Sequence, residues 1–552
     1  MFQQLHTQAL RHARMVKVMA TSGVLRPYGP LTLAGIGKTL FDWGIGFAGG
    51  IGALAIRSPQ RVGLIDELGE LTWAELDERS TKLAHSLREA GVSEGDSVAL
   101  LCRNHRYFVD ASTALSKLGA DILYLNTAFS APQLGEVCNR EKPAAIIYDD
   151  EFTKLIDKAG IDVTRIIAWH DGETKDLPHL EDLIKKGSTD KHRVPEHTTR
   201  PVILTSGTTG TPKGAPRGES GIDGAVALLS KMPFKTDGVT YVVAPLFHTW
   251  GWAHLNMAML LGSTIVLRRR FDPADCLETI KKYDVDALIV IPVMMQRIMK
   301  LSEEERSGDF SHLRVVAASG SALPGDLATD WMDAFGDNLY NTYGSTEVAW
   351  ATIAQPRDMR EAPGTAGKAP YNTVVKIYDG SGNDVEDGQS GRIFVGNTML
   401  FGGYTGDEDQ GKAMIDGLMS SGDVGRFDEN GRLFVEGRDD EMIVSGGENV
   451  FPKEVEDCLA RHENVEDVAA IGVDDEEYGK RLRAFVVKNG DVEEKTLKAH
   501  VKENLAGYKV PREVIFLDEL PRNSTGKVLK KDLRHYDEDG KAGDSSDSTV
   551  DS

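Results

Sequence analysis

Thr205-Ser206-Gly207-Thr208-Thr209-Gly210-Thr211-Pro212-Lys213-Gly214 follows directly on the short apolar run Val202-Ile203-Leu204. Three glycines let the backbone bend close to a bound group. Hydroxyl side chains and exposed N–H groups can wrap phosphate oxygens, and Lys213 adds positive charge. A Walker loop needs GxxxxGK[ST], whereas the spacing here is GxxGxxKG with no hydroxyl after the lysine. The segment therefore reads as a phosphate loop of another kind, or, taken alone, as a solvent-exposed linker.

Outward from this loop the chain alternates between two textures. Apolar runs SVALL (97–101), AAIIY (144–148), YVVA (241–244), TIVL (264–267), ALIVI (287–291) and LRVVA (313–317) are separated by helical stretches. One helix is readable from Thr72 to Gly91. Thr72 and Glu75 form a capping box, Leu76, Leu83 and Leu87 share a face, and Gly91 stops it. Continuous apolar strands between helices indicate an α/β fold with mixed, largely parallel sheets covered by helices. Near Gly437 the texture changes to a compact α+β unit, with a helix from about Lys453 and strands VAAIGV, LRAFVV and EVIFL. At 552 residues the chain exceeds one core. The expected division is a basic amphipathic segment 1–50, a large N-terminal domain 51–439, a small C-terminal domain 440–536 and an acidic, Ser-rich tail 537–552 that should be disordered.

The formal net charge of -22 argues against nucleic acid as a partner and requires a local positive patch for any anionic substrate. Cys102, Cys138, Cys276 and Cys458 are far apart with no CxxC, which suits a reduced cytoplasmic setting rather than a disulfide or zinc scaffold. The first 41 residues lack Asp and Glu but hold Arg11, Arg14, Lys17, Arg26 and Lys38. Phe2, Leu5, Ala9, Ala13, Val16 and Ala20 fall on one helical face. Two readings stand: a helix packed on its own domain, and a helix lying peripherally on the anionic inner face of a membrane. The run from Trp43 to Ile56 is uncharged, but too short and glycine-rich to span a bilayer.

Further motifs sit in order along the chain. Asn341-Thr342-Tyr343-Gly344-Ser345-Thr346-Glu347 offers a ring to stack on a base, a hydroxyl for a phosphate and a carboxylate for Mg²⁺. A turn around a core tyrosine is the plainer alternative. Ser421-Gly422-Asp423 places a carboxylate where it can take ribose hydroxyls, or simply make an Asx turn. Gly437-Arg438-Asp439-Asp440 and Leu520-Pro521-Arg522-Asn523-Ser524-Thr525-Gly526-Lys527 complete the set, the last carrying a lysine on a flexible polar loop.

Together these strings resemble the adenylate-forming superfamily of acyl-CoA synthetases, amino-acid-activating domains and luciferases, from about Ala55 to Leu533. The resemblance implies an enzyme using ATP, Mg²⁺ and coenzyme A. Thr205, Ser206, Gly207, Thr208, Thr209, Gly210 and Lys213 match the loop that holds pyrophosphate. Tyr343 with Gly344 on one side, and Ser319, Gly320 and Ser321 on the other, match the walls around adenine. Thr346 matches the α-phosphate ligand, Glu347 with Thr205 the Mg²⁺ site, and Asp423 and Arg438 the ribose contacts. Lys527 matches the catalytic lysine of acyl-AMP formation. Asp440 matches the hinge of a mobile C-terminal domain, and Gly446 and Gly447 match backbone that meets CoA once that domain has turned.

His248, Thr249 and Trp252 border the acyl pocket in the same comparison. Amino-acid-activating relatives carry an Asp at the His248 position to pair with the substrate ammonium. A buried ammonium without that partner is costly, so an amino acid is disfavoured. Trp252 falls where some long-chain relatives gate an acyl tunnel, which leans the reading towards a medium- or long-chain fatty acid; aryl and other carboxylic acids are the alternative. Two rivals are a fatty acyl-AMP ligase serving a carrier protein and a non-catalytic nucleotide-binding scaffold. No long insertion separates Glu347 from Gly437, which disfavours the first, and all the polar matches are present, which disfavours the second.

Overall fold

The computed structural model describes residues 2–536, apart from 173–176, 205–213, 217–221, 346, 401–411, 446–447, 476–478, 524–525 and 535. Two large sheets dominate. One has eight strands in the order Ala349–Ala354, Leu339–Ser345, Val315–Ala318, Ala287–Val290, Val239–Val242, Thr264–Val266, Val62–Asp66, Gly69–Thr72. Its inner strands are parallel and only the two end pairs run antiparallel. The second has six strands, parallel except where Gly214–Pro216 pairs with Pro201–Leu204. Ala287–Val290 and Val315–Ala318 are buried at every position. Their sequences are unbroken apolar runs because helices cover both faces of the sheet.

The helix read from Thr72 forms as Trp73–Glu89. Its cap is reciprocal: Glu75 N donates to Thr72 Oγ1 at 3.2 Å and Thr72 N donates to Glu75 Oε2 at 2.7 Å. Leu76, Leu83 and Leu87 are buried, and Gly91 leaves the helix at φ 98°. A third, antiparallel sheet includes Leu418–Phe427 paired with Leu433–Arg438. The fourth sheet belongs to the C-terminal unit, where Gly479–Lys488 pairs with Val465–Asp475 and, in parallel, with Glu513–Leu517. Helices Pro452–Leu459 and Glu494–Asn504 cover it through Val455, Leu459, Leu497 and Val501.

The N-terminal segment forms helix Phe2–Thr21. Its packing stripe is not the one expected. Met15, Val18 and Met19 meet Ile222, Val226 and Tyr371, while Ala13, Val16 and Ala20 stay exposed. The stripe that packs is selected by the neighbour it meets, which a helical projection does not contain. A second helix, Pro30–Trp43, leaves Leu31 and Phe41 each 90% exposed. Among the described residues no helix is long and apolar enough to cross a membrane.

Candidate active site

The site lies where the chain leaves the C-terminal ends of the parallel strands, the usual ligand edge of such sheets. After Val315–Ala318 come Ser319, Gly320 and Ser321. Ser319 Oγ donates to the Thr342 carbonyl at 2.8 Å, tying this turn to the neighbouring strand Leu339–Ser345. That strand carries Tyr343 and pairs with Ala349–Ala354 through a register shift at Tyr343 and Gly344. The hairpin is tight: a Cβ on Gly344 would sit 1.8 Å from the Ala349 carbonyl oxygen. Ala349 itself has φ 54°, a left-handed conformation that costs a non-glycine residue about 1–2 kcal/mol. Backbone strain of this kind collects at functional sites.

Tyr343 reaches across to the antiparallel sheet. Its hydroxyl donates to Asp423 Oδ2 at 2.5 Å and lies 3.1 Å from Ser421 Oγ. Asp423 faces Arg438 across the strand pair, with Arg438 Nη1 3.5 Å from Asp423 Oδ1. Burial raises the Asp423 carboxyl above its usual range, opposed by the Tyr343 hydroxyl and by Arg438, Lys412 and Lys527. Ser345 Oγ donates to Glu347 Oε2 at 2.7 Å, and Lys412 Nζ lies 3.9 Å from the same oxygen. Glu347 thus presents a hard oxygen ligand beside the tyrosine, of the kind that suits Mg²⁺.

Lys527 comes from the C-terminal unit. Burial lowers its ammonium below the ordinary lysine value; Arg438 and Lys530 add to this, while Glu441 and Asp423 oppose it. Its loop is no flexible arm. Asn523 N donates to Lys527 O, Gly526 N to Asn523 O and Lys527 N to Asn523 Oδ1, each at 2.9 Å. Gly526, at φ 77°, presses against the large domain, where a Cβ would lie 2.5 Å from Val293 Cγ1. Arg522 Nη2 anchors the loop to Asp467 at 2.7 Å. Lys412, Arg438, Lys527 and Lys530 form the positive patch that a chain of net charge -22 needs for an anionic substrate.

Asp440 stands between two anchored neighbours. Asp439 N donates to the Gly422 carbonyl at 3.0 Å and Arg392 Nε lies 3.2 Å from Asp439 Oδ2. On the other side, Lys530 Nζ joins Glu441 Oε2 at 2.8 Å and Glu456 Oε1 at 2.9 Å. Asp440 Oδ1 accepts from Arg438 Nε at 3.0 Å.

His248 caps helix Thr249–Leu261, and Trp252 N donates to its carbonyl at 2.9 Å. Apolar surroundings push the His248 imidazole down to about 4, so it is neutral at physiological pH. Trp252 Nε1 makes no hydrogen bond. Thr205, Ser206, Gly207, Thr208, Thr209, Gly210, Lys213, Thr346, Gly446 and Gly447 lie outside the described residues. The structure adds Lys412 and Ser421 to the polar set. Ser421 was inside a recognised string, but nothing in the sequence marked Lys412. The one group of possible metal ligands among the described residues, Cys102, His105 and Asp149, is elsewhere and self-paired: His105 Nε2 lies 2.8 Å from Asp149 Oδ1.

Comparison with known proteins agrees with this geometry. The AMP-binding enzyme model matches residues 54–405 and the AMP-binding enzyme C-terminal domain model matches 454–527. A feruloyl-CoA synthase from Amycolatopsis sp is 33% identical, over 84% of this chain and 93% of its own length. An indoleacetate–CoA ligase from Aromatoleum aromaticum is 32% identical over 88% and 95%. The structure of o-succinylbenzoate CoA synthetase from Bacillus subtilis in complex with its acyl-adenylate intermediate superposes with a TM-score of 0.78 at 27% identity, covering 90% of this chain and 99% of that one. With the family model spanning most of the chain and the polar set in place, this protein is a member of the AMP-binding enzyme family, within the adenylate-forming superfamily.

Proposed function

We propose that this enzyme is an AMP-forming acid–CoA ligase whose acid is aromatic rather than a fatty acid. The observation that carries the ligase reading is the meeting of Tyr343, Asp423 and Arg438 with Lys527, which comes from a separate structural unit. The aryl reading draws on relatives named for ferulate, indoleacetate and succinylbenzoate. Those names favour the aryl alternative over the fatty acid suggested by Trp252.

A carboxylate is a poor acyl donor because its oxygen leaves badly. In the first step a carboxylate oxygen bonds to the α-phosphorus of ATP and the bond to pyrophosphate breaks, giving acyl-AMP. In the second, the CoA sulfur bonds to the acyl carbon, its proton is lost and AMP leaves. Tyr343 and the segment Ser319-Gly320-Ser321 would hold adenine between them, and Asp423 with Arg438 would hold the ribose. The loop 205–214 would take the pyrophosphate and Thr346 the α-phosphate. A magnesium ion would spread the triphosphate charge, and Glu347 with Thr205 would hold it. Lys527 would meet charge developing at the α-phosphorus, where a preorganised donor acts most strongly. No protein nucleophile is needed. For the second step the C-terminal unit would turn about Asp440, withdrawing Lys527 and bringing Gly446 and Gly447 to CoA. His248, Thr249 and Trp252 would border the acid.

Exposed Leu31, Phe41 and Val16 beside Lys17 and Lys38 support a peripheral contact with an anionic membrane, through apolar insertion and charge attraction. The ligase reading is tested by incubating aryl and fatty acids with ATP and CoA, following pyrophosphate release and thioester mass. Thioesters from aryl acids are expected. Fatty acyl thioesters alone would restore the fatty-acid reading, and CoA-independent acyl-AMP alone would point to a carrier-protein acceptor.

A further inference from the structure

Two buried side chains beside the candidate acid-binding segment carry polar atoms that nothing in the protein satisfies. His254 is 1% exposed and Trp350 is 9% exposed, and neither His254 Nε2 nor Trp350 Nε1 has a hydrogen-bond partner. Buried polar groups of native proteins are overwhelmingly paired, so such atoms together at one place call for an explanation.

Both flank Trp250, which is itself held: its Nε1 donates to the Val290 carbonyl at 3.0 Å. The His254 ring meets the Trp250 ring edgewise with centroids 4.0 Å apart, and the Trp350 ring meets it edgewise at 5.9 Å. His254 lies on the helix that His248 caps and that bears Trp252; Trp350 follows Glu347 by three residues, directly after the strained Ala349. The unpaired atoms therefore sit between the segment that borders the acid and the hairpin that carries Tyr343.

Their chemistry is complementary. His254 Nδ1 is 3.0 Å from the Trp250 carbonyl oxygen, which can only accept, so Nδ1 carries the ring hydrogen. Burial pushes the ring down to about 4, so it stays neutral at physiological pH. Nε2 is then a bare lone pair that requires a donor. Trp350 Nε1–H can only donate, so it requires an acceptor. A hydroxyl group is both.

We propose that the acid carries a hydroxyl group remote from its carboxylate, and that His254 Nε2 accepts from it while Trp350 Nε1 donates to it. This rests on the aryl-acid ligase reading and narrows it to hydroxyaryl acids. An alkyl chain or an unsubstituted ring would leave both atoms unpaired, and sites built to pair a hydroxyl reject analogues lacking it far more strongly than apolar pockets reject a missing methylene.

The test compares kcat/KM for thioester formation with matched acids, cinnamic against 4-hydroxycinnamic and benzoic against 3- and 4-hydroxybenzoic. At least one hydroxy acid should exceed its parent by about tenfold or more. His254→Phe should reduce that ratio to near unity while leaving the parent acid within a few fold; His254→Gln, which offers a carbonyl acceptor, should restore part of it, and Trp350→Phe should lower it. Equal use of every pair by the wild type, as expected if a buried water satisfies both atoms, would overturn the assignment. So would a hydroxyl preference that survives His254→Phe. If no acid yields a thioester, the ligase reading fails separately, and calorimetric binding of the same pairs in the presence of AMP still decides whether a hydroxyl is required.

Discussion

Replacing Lys527 by alanine removes one positive charge from a crowded place. In the structure its ammonium is mostly buried and stands near Arg438 and Lys530, with Glu441 and Asp423 as partial compensation. The balance lowers its pKa, so the folded protein holds this proton less tightly than the unfolded chain does. Below the folded-state pKa the charge therefore costs stability, and its removal should leave the melting temperature unchanged or slightly raised. Catalysis should respond in the opposite direction. Loss of one preorganised donor at a developing anion costs on the order of 10²–10³ in rate, about 2.7–4 kcal/mol of transition-state stabilisation. The assay separates the half-reactions: acid-dependent ATP–pyrophosphate exchange for the first, and thioester formation from synthetic acyl-AMP for the second. Lys527→Ala should lose the first and keep the second. The exchange rate of the wild type should also fall on the alkaline side at a pH below that of an ordinary lysine, and this limb should vanish in the variant. Equal losses in both half-reactions, or a collapse of the melting temperature, would refute the reasoning.

Asp440→Pro fixes φ near −65° at a residue anchored on both sides, so exchange should persist while thioester formation falls at least about tenfold; equal activity in the two assays would remove Asp440 from the hinge role. Tyr343→Phe deletes the hydroxyl that Asp423 accepts at 2.5 Å. A hydrogen bond to a charged group contributes about 1.5–3 kcal/mol, so KM for ATP should rise at least about tenfold with the acid preference unchanged, and an unaltered KM would refute the coupling. Trp252→Ala separates gate from packing: a gate predicts a changed dependence of kcat/KM on acid size, and a packing role predicts uniform loss. Phe41→Asp with Leu31→Asp should weaken cosedimentation with anionic vesicles by more than tenfold without altering the fold, because both side chains are exposed, and added salt should act in the same direction. Wild-type protein that ignores such vesicles would end the membrane reading.

What was legible in the sequence is what short stretches determine through local physics. The cap at Thr72 and Glu75, the apolar runs that became buried parallel strands, and the strings around Tyr343, Asp423, Arg438 and Lys527 each carry their meaning within a few residues. Even their order along the chain was enough to indicate the family. Tertiary structure alone decided which groups meet. Tyr343 and Asp423 are 80 positions apart, yet share a hydrogen bond. Lys412 lies in no recognisable string and becomes part of the site only because its strand neighbours bring it to Glu347 and Ser421. The N-terminal helix was readable as a helix, but its packed stripe depended on Ile222, Val226 and Tyr371. His254 and Trp350 read as ordinary core residues, since a sequence shows that a side chain has polar atoms and never whether another chain segment satisfies them. Periodicity and capping act over one or two turns of backbone, whereas hydrogen-bond satisfaction and charge balance depend on long-range contacts that exist only once the chain has folded.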